Sequence, residues 1–194
     1  MNKKRKSFIV GSIIILIFIY FIVTYNSLVK KEENVKFQWN EVQNNYQRRL
    51  DLIPNLVNIV EGSATYEKST LEQVIEARSK AMSVNASNEI SLDSYKMQTK
   101  AQNELATSAN LLLVNVEKYP DLKSTNAFAG LQVQLEGTER RIKVARKDFN
   151  DAIAEYNNSV RSFPTKIIAT IFGFKPMEGF EATSGAQNTI EIKF

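Results

Sequence analysis

Acid–base or metal chemistry in this chain falls to carboxylates, because the sequence has no histidine and no cysteine. The commonest metal ligand and the commonest general base are therefore absent. So are thiolate metal sites, cysteine nucleophiles, disulfides and a lipoprotein anchor. Two carboxylate pairs have helical spacing, Glu136-x-x-Glu139 and Glu72-x-x-x-Glu76. A di-metal carboxylate bundle needs Glu-x-x-His pairs. Neither pair has the imidazole, so both read as salt-bridging surface acids. There is no glycine-rich phosphate loop and no G-x-S-x-G turn, and no Ser, Asp, Glu or Lys is set out as a nucleophile beside a base. No catalytic residue, metal or cofactor is expected, and the chain reads as a non-enzyme.

The charged residues that stand out do so by phase. From Val35 apolar residues recur at alternating spacings of four and three: Val35, Trp39, Val42, Tyr46, Ile53, Leu56, Val60. That is one face of an α-helix. Arg49 falls on this stripe, and Glu67 and Arg78 fall on its continuation through Ala64, Leu71, Val74 and Ala81. A desolvated charge is costly unless paired. The simplest expectation is that the long stems pack while the charged ends reach solvent. The alternative is a polar contact that fixes helix register or meets a partner, with Arg49 paired to Asp148 or Glu155.

The element that positions everything else is Ser7–Val29, which carries no charge; Phe8–Val23 is apolar except for Gly11, Ser12 and Tyr20. A bilayer core of ~30 Å needs ~20 such residues at 1.5 Å rise. Four basic residues, Lys3, Lys4, Arg5 and Lys6, precede it. The apolar run exceeds a signal-peptide h-region and no A-x-A-like site follows, so a permanent transmembrane anchor is expected at residues 7–29. Tyr20 and Tyr25 suit the membrane interface. The basic N-terminal flank (residues 1–6) outweighs Lys30, Lys31 and Lys36 on the other side, which favours a cytoplasmic N-terminus and a domain outside.

The net charge of +4 lies entirely in that flank. Without its four basic residues the total of 25 Lys and Arg becomes 21, against 21 Asp and Glu. A nucleic-acid binder carries a basic face on its folded domain, so no nucleic-acid partner is expected. The run Arg140-Arg141-Lys143-Arg146-Lys147 is interleaved with acids. It reads as a solvated face with pairs Glu136–Arg140, Glu139–Lys143 and Lys147–Asp151 rather than as a phosphate site.

Residues 30–163 read as an antiparallel bundle of three long helices. The unbroken stripe across Gly62 predicts one helix from about Lys30 to Ser83; a reversal at Gly62 would make four. Pro54 removes the amide that would bond the Leu50 carbonyl, which predicts a kink there or a new helix opening at Pro54. After the loop cluster Asn85–Asn88, the second stripe is Leu92, Tyr95, Thr99, Gln102, Ala106, Ala109, Leu113, Val116, ending at Tyr119-Pro120. Ser124, Thr125 or Asn126 can cap the third. That stripe is Phe128, Leu131, Leu135, Thr138, Ile142, Ala145, Phe149, Ala152, Tyr156, Ser159, Phe163, ending at Pro164.

Residues 164–194 form a post-bundle segment and a flexible tail. Ile167, Ile168, Ile171, Phe172 and Phe174 make an apolar stretch too short to span a bilayer. It is read as folded onto the bundle end, or as a docking patch for membrane or partner. The last six residues alternate as an edge strand would, although a loose terminus is the simpler expectation.

Several segments together resemble the LemA family. They are Tyr46-Gln-Arg48-Arg49-Leu-Asp51-Leu-Ile-Pro54-Asn55-Leu-Val57, Glu76-Ala77-Arg78, Tyr119-Pro120-Asp121-Leu122-Lys123 and Leu135-Glu136-Gly137-Thr138-Glu139-Arg140-Arg141-Ile142. Then follow Ala145-Arg146-Lys147-Asp148-Phe149-Asn150, Phe163-Pro164-Thr165 and Phe172-Gly173-Phe174-Lys175-Pro176. The match is collinear from about Tyr25 to Phe180. It departs at Tyr66-Glu67, where many members carry His before the Glu, so any role of that His is void here. The resemblance implies a bacterial inner- or plasma-membrane protein with one N-terminal transmembrane helix, an antiparallel bundle and no established enzymatic activity. Within it, Arg48, Arg49, Asp51, Pro54 and Asn55 are a binding surface or the kink and its salt bridges.

The expected function is a membrane-anchored scaffold or interaction protein of the cell envelope, facing another membrane or envelope protein. The alternative is a sensor or accessory subunit whose bundle repacks on binding a ligand or membrane partner. Nothing in the residues specifies a homo-oligomer.

Overall fold

A computed structural model describes residues 3–62, 68–85, 92–116 and 119–179. The chain is all-α. Its helices are α1 (Lys3–Glu61), α2 (Lys68–Asn85), α3 (Leu92–Val116), the short α4 (Pro120–Lys123), α5 (Asn126–Arg161) and α6 (Thr165–Phe172). A long apolar N-terminal helix is thus followed by helices that form a bundle. Among the described residues there is no strand. Ala64, Glu67, the loop after Asn85 and the alternating terminus lie outside the described residues.

The stripes of α1, α2 and α5 become the core, whereas on α3 the expected Thr99, Ala106 and Leu113 are half-buried and Gln98, Leu105 and Leu112 beside them are buried. Val35, Trp39, Val42, Tyr46, Arg49, Ile53, Leu56 and Val60 on α1 are all buried, as are Leu71, Val74 and Ala81 on α2. On α5 the stripe holds from Phe128 to Tyr156 and then fails: Phe163 is 82% exposed, because the helix has ended at Arg161 and the phase ends with it.

The helix does not run on through Gly62. α1 stops at Glu61, Gly62 sits in a turn, and Arg78 on α2 bonds the carbonyl of Leu50. In one continuous helix those residues would lie about 42 Å apart at 1.5 Å per residue. The chain reverses, so the continuous helix from Lys30 to Ser83 is not formed and the four-helix alternative holds. Shared phase across the reversal misled the sequence reading, since α1 and α2 both turn their stripes toward the same core.

The helical region divides into two compact units. One comprises the chain up to Asn44 with residues 143–177. Here α1 and α5 run antiparallel: as the α1 position rises from Lys31 to Trp39, its partner on α5 falls from Glu155 to Phe149. The Trp39 and Phe149 rings lie 5.3 Å apart, both buried. The other unit comprises residues 45–142. In it the end of α1, α2, α3 and the first half of α5 surround Leu50, Ile53, Leu56, Leu105, Leu112 and Leu135.

Local chemistry sets the helix boundaries. Thr125 caps α5, its Oγ1 accepting from the Phe128 amide at 3.3 Å. Pro120 opens α4, where its missing N–H costs nothing. α6 closes on Gly173 at φ 80°, a left-handed position that glycine takes without strain.

Candidate functional site

The second unit contains a polar node built around two consecutive α1 residues. Pro54 lies inside α1, which continues unbroken through it to Glu61, so Pro54 does not open a new helix. Having no N–H, it leaves the carbonyl of Leu50 without its helical donor. Leu50 is 1% exposed, so water offers little remedy. Arg78 of α2 supplies the bond instead: its Nε donates to the Leu50 oxygen at 2.9 Å.

One residue earlier, Arg49 is 4% exposed, and its guanidinium stays inside. Its Nη1 donates to the Gln102 backbone oxygen at 3.0 Å and to Gln102 Oε1 at 2.8 Å. Its Nη2 meets Glu139 Oε1 at 2.5 Å. Planar guanidinium geometry makes several directed bonds from one residue feasible. Arg49 and Leu50 therefore tie α1 to α3, α5 and α2 at a single level of the bundle. Close by on α5, Thr138 is fully buried, bonds back to the Gln134 carbonyl at 2.8 Å, and accepts from Arg141.

This corrects two expectations. The Arg49 head does not reach solvent; it is buried and paired. Its acid is on the last helix as expected, but it is Glu139. Glu155 instead pairs with Lys31 at 2.7 Å, and no ion pair joins Arg49 to Asp148. Glu139 in turn serves Arg49; the other two surface pairs are present, Arg140–Glu136 at 4.0 Å and Lys147–Asp151 at 2.6 Å.

The structure brings together Arg49, Pro54 and Arg78. Arg48 is exposed, and Asp51 is exposed and accepts from Gln47 at 2.8 Å. Asn55 is also exposed and lines a shallow open cleft of about 520 Å³ with Asn58, Asn126, Gly130 and Gln134. Glu67 lies outside the described residues. Gln102 and Glu139 were not singled out from sequence. Gln102 had a signal, being a polar residue on the α3 stripe; Glu139 had none, because many acids lie on α5.

The node's donors are guanidinium N–H groups and its acceptors are carbonyls and one carboxylate, an arrangement that ties four helical segments together. Among the described residues no group of three His, Cys, Asp or Glu side chains is placed to hold a metal ion.

The apolar segment after the bundle folds as α6 in the first unit. Ile168 is buried at 1%, while Ile167, Ile171 and Phe172 are exposed and Phe174 is half-buried. The Phe172 and Phe174 rings lie 4.8 and 5.7 Å from that of Tyr25.

The family model for LemA matches residues 38–194. The chain belongs to the LemA family. The matched span begins after the apolar run and includes every residue of the node. At 25% identity over 178 residues, this LemA-family chain is similar to magnetosome protein MamQ 2 of Paramagnetospirillum magneticum, with 82% of the chain covered. It spans about 65% of that relative's length. It is 24% identical to MamQ of Magnetospirillum gryphiswaldense over 191 residues, covering 87% of the chain and 70% of the relative. Protein LemA of Metamycoplasma hominis is 21% identical over 162 residues, covering 84% and 70%. None of these names states a reaction.

Proposed function

We propose that this LemA-family chain is a single-pass membrane protein whose bundle acts as a non-enzymatic scaffold, presenting a fixed surface to another envelope protein. The observation that carries the reading is the apolar stretch of α1: Phe8 to Val23 is exposed almost throughout, with Phe8 at 78% and Leu16 at 65%. A soluble domain does not leave an apolar face of that length to water, and α1 is long and apolar enough to cross a bilayer. The Arg49 and Arg78 ties support a static scaffold over a repacking sensor. They join four helical segments through bonds that a repacking would have to break.

The native chain has no cysteine, so Asn110→Cys on exposed α3 gives one labelling site. A membrane-impermeant thiol reagent is expected to label it in intact bacterial cells. Labelling only after lysis would reverse the orientation and make a cytosolic adaptor the reading. Photo-crosslinking from exposed bundle positions is expected to trap a reproducible membrane or envelope neighbour; capture of only bulk membrane proteins would sink the scaffold role.

A further inference from the structure

We propose that α6 is a second membrane contact, lying in the bilayer surface beside the anchor; this rests on the anchor reading above. The apolar run of α1 ends at Val23, so Tyr25 sits where amphipathic rings settle at a membrane interface. Phe172 and Phe174 pack on that same ring. The start of α6 is at the same depth: Thr165 lines a cleft of about 450 Å³ together with Tyr20 and Thr24 of α1 and Ser162. One helical turn is ~5.4 Å, so α6 lies within a turn or two of the end of the apolar run.

The two sides of α6 then have different duties. Ile168 is buried against the protein, and Phe172, four residues on and 52% exposed, keeps one side of its ring on Tyr25. Ile167 and Ile171, also four apart, form an adjoining face at 51% and 62% exposure, and Phe163 just ahead is 82% exposed. Exposed Lys166 and Lys175 flank this apolar face. An apolar stripe with basic flanks at interface depth fits the acyl–headgroup boundary of a lipid surface. The contact of α6 with Tyr25, two residues beyond the exposed apolar run of α1, and the cleft Thr165 shares with Tyr20 and Thr24 select lipid as the occupant of this stripe.

The test uses the full chain in liposomes of zwitterionic and anionic phospholipid, with one nitroxide at a time on Ile167→Cys, Ile171→Cys, Ile17→Cys or Asn110→Cys. Accessibility to oxygen and to a water-soluble nickel complex gives depth. Ile167 and Ile171 are expected to favour oxygen, at a depth of about 5–10 Å, with Ile17 deeper and Asn110 aqueous. If Ile17 reads as lipid-buried while Ile167 and Ile171 read like Asn110, α6 docking is overturned and the anchor stands. If both α6 sites are shielded from both reagents, a protein surface occupies the stripe and the lipid proposal fails. An aqueous Ile17 overturns the anchor and this inference together.

Discussion

The bond between Arg78 and Leu50 exists, on this reasoning, because Pro54 cannot donate. That can be tested by restoring the donor. In the native chain, Arg78→Met leaves a carbonyl unbonded at a position 1% exposed. Hydrogen bonds from charged groups contribute about 1.5–3 kcal/mol, and an orphaned buried acceptor costs a similar amount. The substitution is expected to destabilise the chain by about 2 kcal/mol. Pro54→Ala supplies a backbone N–H four residues after Leu50 and removes a helix-interior proline, which is ~3 kcal/mol less favourable than alanine. It is therefore expected to stabilise. In the Pro54→Ala background, Arg78→Met should cost less than about 0.5 kcal/mol, because the amide of residue 54 then serves the same oxygen. The coupling expected between the two sites is about 1–2 kcal/mol, well above the ~0.3–0.5 kcal/mol within which independent sites add. At roughly 2–4 °C per kcal/mol for a chain of this size, the thermal melts should also separate by several degrees. Guanidinium unfolding of the full chain in detergent, followed by far-UV circular dichroism, measures all four corners of the cycle. Equal costs for Arg78→Met in both backgrounds would refute the argument.

The Arg49 pair is asymmetric, since Arg49 is buried and Glu139 is 44% exposed. Glu139→Gln takes the counter-charge from a buried guanidinium and is expected to lower stability by about 3 kcal/mol; Arg49→Ala, which opens a void and orphans the Gln102 oxygens, is expected to cost about 2–5 kcal/mol; an unchanged or raised melting point for Arg49→Met would sink the register role. Hydrogen bonds from Lys31 and Lys80 hold the Glu155 and Glu104 carboxyls below their ordinary value of 4.5. A lowered pKa stabilises fully above 4.5, and that contribution is lost as pH falls through the folded value. The double variant Lys31→Met with Lys80→Met is therefore expected to unfold at lower denaturant than the native chain at neutral pH. The gap should close toward the acid end; a gap independent of pH would refute the assignment.

Chain-local properties were legible without a structure. A stretch of 23 uncharged residues has the length to span a bilayer wherever it stands. The alternating three and four spacing named the buried face of α1, α2 and α5 nearly residue by residue, because helical period depends only on neighbours along the chain. Pro120 and Pro164 marked helix limits for the same reason. Arg49 and Arg78 were also visible as charged residues on the apolar stripe, and Pro54 as a proline inside the helical pattern.

What they bond to was decided only in three dimensions. A stripe has the same phase whether the chain runs on or folds back, so the reversal at Gly62 left no trace in periodicity. Glu139 rather than Asp148 or Glu155 meets Arg49 because antiparallel register, set by packing along the helices, brings that acid level with it. The Leu50 carbonyl is a backbone group that any residue at position 50 would present, and nothing in the letter sequence singles out Arg78 as its donor. The placement of α6 beside Tyr25 likewise depends on where α5 ends alongside α1, a tertiary distance that a local pattern does not encode.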